Sequence, residues 1–205
     1  PTAQDVVIEP QDTQPTEGGT PPEPGGTTGT GEGGETGGET PTPPVHTDHP
    51  VCGEAECKHE TTHDAVEWTE NADNTAIPAE GSIYLTSDVT LSSTVTVAAG
   101  TTLNLCLNGH TIKNTSGRVF DVNGGTLNIC NCSASGNVGA IKDSDGTSST
   151  DKVGGAFYVR KSGKLNMYGG RIENCTASNG GALYLTSGSV LLDGVTITGC
   201  TAVRG

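Results

Sequence analysis

From Gly81 onward the chain is written in short alternations of Val, Ile, Leu and Thr with polar residues, punctuated by Gly and Asn. A period of two over four or five residues is the pattern of a strand with one buried face, and Gly-rich or Asn-rich breaks are the matching turns. No stretch sustains the 3.6-residue period of an amphipathic helix. The Gly and β-branched content weighs against helix as well.

The alternations recur. GGAFYVRKSGKLNMYGGRIENCTASN (154–179) is followed at once by GGALYLTSGSVLLDGVTITGCTAVR (180–204), and one deletion ahead of the SG aligns the two. The pattern runs back more loosely to Thr94. Equivalent apolar pairs in a first strand are Val95 and Val97, Phe120 and Val122, Phe157 and Val159, Leu183 and Leu185. In a second strand they are Leu105 and Leu107, Leu127 and Ile129, Leu165 and Met167, Val190 and Leu192. Turns at Gly109, Gly169 and Gly194 lead to a third apolar point at Ile112, Ile172 and Ile197. Steps between first-strand positions are 25 (95 to 120), 37 (120 to 157) and 26 (157 to 183), so about a dozen residues are inserted within 133–153. A period near 25 with two or three short strands per unit predicts a parallel β-helix, an all-β solenoid whose units bury their apolar residues only by stacking.

GSIYLTSDVTLSSTVTVAAGTTLNLCLNGHTI (81–112), above all LNGHTI at 107–112, resembles the opening coils of right-handed parallel β-helix domains of the pectin-lyase-like kind found in large surface proteins of Gram-positive gut bacteria. VCGEAECKHETTHDAVEWTE (51–70) is similar to the Cys/His and Trp-Thr segment that precedes such domains. The resemblance covers about residues 46–205. It implies a fold and leaves function open, because that fold hosts adhesins, lyases, hydrolases and spacers.

Charge divides the chain. Residues 1–80 carry 17 acids and one base, Lys58, for a charge of -16; residues 81–205 carry 7 acids and 9 bases, for +2. The segment 13–44 has no aromatic residue, no base and little to bury, so it cannot offset the entropy of ordering. The expected organisation is a disordered acidic stalk over 1–45, a small Cys/His module over 46–80 and β-helix rungs over 81–205. The overall charge of -14 argues against a nucleic-acid partner, which would need Lys and Arg for its phosphates. No run of about 20 apolar residues predicts a membrane span. The chain opens at Pro1 and ends where another GGA would begin, so a continuation of the same chain is expected after Gly205.

Candidate chemistry sits first in the module. Cys52, Cys57, His59 and His63 offer two thiolates and two imidazoles, the donor set of a closed structural zinc site, in a segment without a core of its own. The alternative is a Cys52 to Cys57 disulfide with exposed histidines. Cys175 and Cys200 fall at equivalent positions and should stack, as apolar filler or as a disulfide. Cys106, Cys130 and Cys132 show no metal-like spacing. Tyr158 and Tyr184 should point outward in file with Asp121, with Arg160 beside them, as a sugar-stacking face or as cross-strand pairs that steady the sheet. Asn128 and Asn166 should form an outward structural ladder. DSDG at 143–146 with Asp151 falls short of a calcium loop and reads as a solvated excursion. The seven acids after Gly81 are scattered, so no catalytic pair is evident. The expected function is a secreted or wall-displayed structural and adhesive surface offering a lateral face to glycans or host proteins. The rivals are a pectin-lyase-like lyase or glycoside hydrolase with its active site beyond residue 205, and a passive spacer.

Overall fold

The computed structural model describes residues 46–204 except 55, 56, 60, 61, 134 and 135; the stalk expected over 1–45 lies outside the described residues. The first elements are β1 (His49–Pro50), β2 (Ala65–Val66) and β3 (Thr69–Asn71). From Gly81 the chain then makes successive circuits: β4 (Gly81–Leu85), β5 (Val89–Leu91), β6 (Val95–Ala98); β7 (Thr102–Cys106), β8 (Thr111–Asn114), β9 (Phe120–Asn123); β10 (Thr126–Cys130), β11 (Ala140–Lys142), β12 (Phe157–Arg160). Next come β13 (Gly163–Tyr168), β14 (Arg171–Glu173), β15 (Thr176–Ala177) and β16 (Leu183–Leu185), and finally β17 (Gly188–Asp193), β18 (Thr196–Thr198) and β19 (Thr201–Ala202). A 3-10 turn at Gly146–Ser148 is the one helical element among the described residues.

The first four circuits each place one strand in each of three parallel sheets, and the last adds β17 and β18 to two of them. The six-stranded sheet has the order β17-β13-β10-β7-β4-β3, the five-stranded sheet β18-β14-β11-β8-β5 and the four-stranded sheet β16-β12-β9-β6. Two-stranded pairs β15-β19 and β1-β2 complete the fold, the latter antiparallel. Stacked parallel sheets visited in rotation are compatible with a solenoid-like fold.

Apolar alternation translates directly into rows. Val95, Phe120, Phe157 and Leu183 stand in register, as do Val97, Val122, Val159 and Leu185. Phe120 and Phe157 stack at 5.7 Å and both are fully buried. Two expectations need correction. The third row contains Ile141 between Ile112 and Ile172, so the long middle step splits into excursions on both sides of β11 rather than one insertion. In the second strand, Leu103 and Leu105, not Leu105 and Leu107, face Leu127 and Ile129. Leu103, Leu105 and Leu107 alternate for three members, so a two-residue slip leaves the same face apolar. Backbone pairing resolves the choice, and Leu107 turns the corner with its N–H donating to the Cys130 carbonyl at 2.8 Å.

The Cys/His module does not form a separate body, since all described residues belong to one compact unit. It adds β3 to the edge of the six-stranded sheet beside β4 and continues along that sheet's outer face.

Candidate metal centres

On the outer face of the six-stranded sheet, register aligns Tyr84, Cys106, Cys130, Tyr168 and Asp193 in one file, each from the next strand of the sheet. One pleat away runs the expected amide ladder. Asn166 Nδ2 donates to Asn128 Oδ1 (2.8 Å), Asn128 to Asn104 (2.7 Å) and Asn104 to Ser82 Oγ (2.9 Å). Each central amide thus donates to one neighbour and accepts from the other, which satisfies polar atoms on a packed sheet.

The described residues between His46 and Trp68 lie as a strap along the first file. The His46 ring stacks on Tyr84 at 4.0 Å and 4°. Trp68 is buried; its Nε1–H donates to the His49 carbonyl (2.8 Å) and its backbone N–H to Asp48 Oδ1 (3.1 Å). Gly53 has φ +79° and passes close over Cys130, where a Cβ would press on the Cys130 side chain. Cys52, Trp68, Cys106, Cys130 and Tyr168 are all buried and make a small sulfur-rich core separate from the main one.

Two Cys/His clusters lie along this strap. Cys52, Cys57, His59 and His63, the set anticipated from sequence, bring their ligand atoms within 4.8 Å of one another. Both cysteines are free thiols, so the disulfide alternative is not formed here. His59 Nδ1 and His63 Nδ1 lie 3.2 and 3.4 Å from Cys57 Sγ. Their other ring nitrogens are held from outside, His59 Nε2 by Asp193 (2.9 Å) and His63 Nε2 by the Tyr168 hydroxyl (3.3 Å). Outer partners of this kind orient metal-binding imidazoles. Burial opposes ionisation of Cys57, but the backbone N–H groups of His59 and His63 and the His59 ring outweigh it and hold the thiol at about 6. The thiolate is the form that binds metal.

The second cluster, His46, His49, Cys106 and Cys132, could also hold a metal ion, its ligand atoms again within 4.8 Å of one another. Sequence reasoning missed it, because Cys106 and Cys132 lie far from the histidines along the chain and meet them only through strand register. Hydrogen bonds from the Cys130 and Cys132 thiols, then from His46 and His49, drive the Cys106 thiol far below its usual range.

The four-stranded sheet carries the lateral face. Asp121, Tyr158 and Tyr184 stand in file as expected, the two tyrosine rings 5.8 Å apart and tilted by 48°. Arg160 clamps Asp121 with two bonds, Nε to Oδ1 at 2.9 Å and Nη2 to Oδ2 at 2.6 Å. Tyr158 is half-buried rather than openly exposed, with the guanidinium carbons of Arg118 and Arg160 at 4.9 and 5.2 Å from its ring centre. Arg118, Asp121, Asp151 and Arg160 line an open groove with Ser92, Ser93, Thr94, Thr96, Ser116, Ser148, Ser149 and Thr150. Arg118 is 4% exposed and pairs with Asp151, yet its Nη1 has no partner among the described residues.

Elsewhere the candidates separate. Asp145 caps the 3-10 turn by accepting from Thr147 N–H (2.8 Å), Asp143 faces Asn174 and Asp151 faces Arg118, so the DSDG acids do not converge. Cys175 and Cys200 are free thiols that donate to carbonyls of their own circuits, Cys175 to Glu173 at 3.3 Å and Cys200 to Thr198 at 3.5 Å. No helix among the described residues is long and apolar enough to cross a membrane. Comparison with protein families, curated proteins and solved structures finds no match to this chain.

Proposed function

We propose that the chain is part of a right-handed parallel β-helix of the pectin-lyase-like kind, displayed outside a bacterial cell as a structural and adhesive surface. The observation that carries the adhesive reading is the open groove beside the Tyr158–Tyr184 file, lined by hydroxyls and by two arginine–carboxylate pairs. Such a lining offers donors and acceptors and little apolar surface, which suits a polyhydroxylated ligand, and the partly exposed Arg160 guanidinium suits a glycan bearing a carboxylate or sulfate. Further along the same file, the half-buried Tyr184 supplies a stacking ring. In this reading Cys52, Cys57, His59 and His63 hold a structural zinc, the ion that two thiolates and two imidazoles favour.

A glycan array probed with the purified chain tests the adhesive role. Retention of acidic glycans is expected, with at least a tenfold loss in Arg160→Ala and Tyr184→Ala (about 1.4 kcal/mol for each tenfold). An empty array assigns the chain to passive spacing. Cleavage of a retained polysaccharide by the purified chain assigns it to the lyase or hydrolase class.

A further inference from the structure

We infer that the chain holds a second metal ion, ligated by His46, His49, Cys106 and Cys132, which fastens the N-terminal strap to two successive strands of the six-stranded sheet. Cys106 ends β7, Cys132 follows β10 by two residues, and the two imidazoles come from the strap. The donors therefore reach one point from three separate pieces of chain.

The convergence of four lone-pair-bearing atoms favours a cation there. His49 Nδ1 is committed to the Pro50 carbonyl at 2.7 Å, so in the neutral ring its Nε2 carries a lone pair. That nitrogen lies 3.3 Å from His46 Nε2, which is itself 3.1 Å from Cys132 Sγ. His46 Nε2 thus faces a second imidazole nitrogen and a sulfur, and with Cys106 Sγ the four ligand atoms converge within 4.8 Å of one another. A metal ion satisfies all four donors at once. The His49 bond to a backbone carbonyl is the usual outer support of a ligating histidine. His49 and Cys106 are buried, His46 and Cys132 half-buried, and His46 is further held by its stack on Tyr84. Two sulfurs and two imidazoles with no carboxylate among them select a zinc-like ion over calcium or magnesium.

The two clusters differ in what they join. The first closes the loop between Cys52 and His63. The second ties strap to sheet, and it does not depend on the first being occupied.

Metal content of the purified full chain, loaded with Zn(II) or Co(II), tests the site. Two ions per chain are expected, both with the charge-transfer absorption of cobalt–thiolate bonds. Cys132→Ser and His46→Gln should each retain one ion, held by the first cluster, and that retained ion together with an unchanged circular dichroism spectrum certifies the fold. Cys57→Ser should also retain one, held by the second cluster. Loss of the second ion should change the emission of Trp68, whose ring lies 4.7 Å from His49 and 6.0 Å from His46. One ion in the unaltered chain that survives Cys132→Ser overturns the second site and leaves the first standing. Two ions surviving Cys132→Ser, no ion at all, or a disulfide linking Cys106 to Cys130 or Cys132 also overturn it.

Discussion

Cys175 and Cys200 occupy equivalent positions one circuit apart, yet they are chemically unequal. Cys175 is fully buried; the neighbouring Cys200 and then desolvation push its thiol well above the usual range. The Cys175 thiol lowers Cys200 to about 7, against the opposing effect of burial. The thiolate is the nucleophile, and its fraction grows as pH rises through the folded value. Iodoacetamide labelling followed by peptide mass spectrometry should show Cys200 reacting with a midpoint near 7 and Cys175 protected until the chain unfolds. Equal labelling of both would contradict this assignment. The equivalence of the two cysteines was legible in the aligned stretches, but their difference was not, because it depends on which thiol accepts the hydrogen bond between them and on how far each is desolvated.

The GGA triplets at 154–156 and 180–182 show how a short motif shapes an element. Gly154 and Gly180 have φ of +64° and +61°, a region that side chains rarely adopt. Gly155 is required for a different reason, since a Cβ there would collide with the Gly181 carbonyl oxygen of the next circuit. Gly155→Ala should therefore destabilise the protein by about 1–3 kcal/mol in urea titration, the usual cost of overpacking. A wild-type midpoint would show that the circuits can separate at this point without cost. The strand rows themselves followed from alternation alone, as Val95, Phe120, Phe157 and Leu183 illustrate. The Leu103 register and Ile141 did not, because a three-member alternation tolerates a slip and an excursion hides a three-residue strand.

Across the whole molecule, the strap covers a file running from Tyr84 to Asp193, from β4 to β17. Metal bound at its two clusters would add binding free energy to the folded state alone. Chelation of the metal-loaded chain should lower its melting temperature, restore it on zinc readdition, and make the buried Cys106 and Cys130 available to alkylation while the parallel sheets keep their circular dichroism. Unchanged alkylation after complete metal removal would show that apolar packing of Trp68 and Tyr168 suffices to hold the strap.

What the residues determined without a structure is local and periodic: strands instead of helices, the stacked apolar rows, and the Cys52–Cys57–His59–His63 donor set, whose members lie close enough in sequence to meet in almost any loop. Tertiary structure alone decided where the module goes and what it meets. Parallel register places Cys106 beside Cys130, and Tyr168 beside Asp193, over the same face on which β3 pairs with β4. That register carries the strap, and with it His46 and His49, onto sulfurs 57 to 86 positions away. No spacing rule encodes such a meeting, because it depends on the length of every intervening circuit.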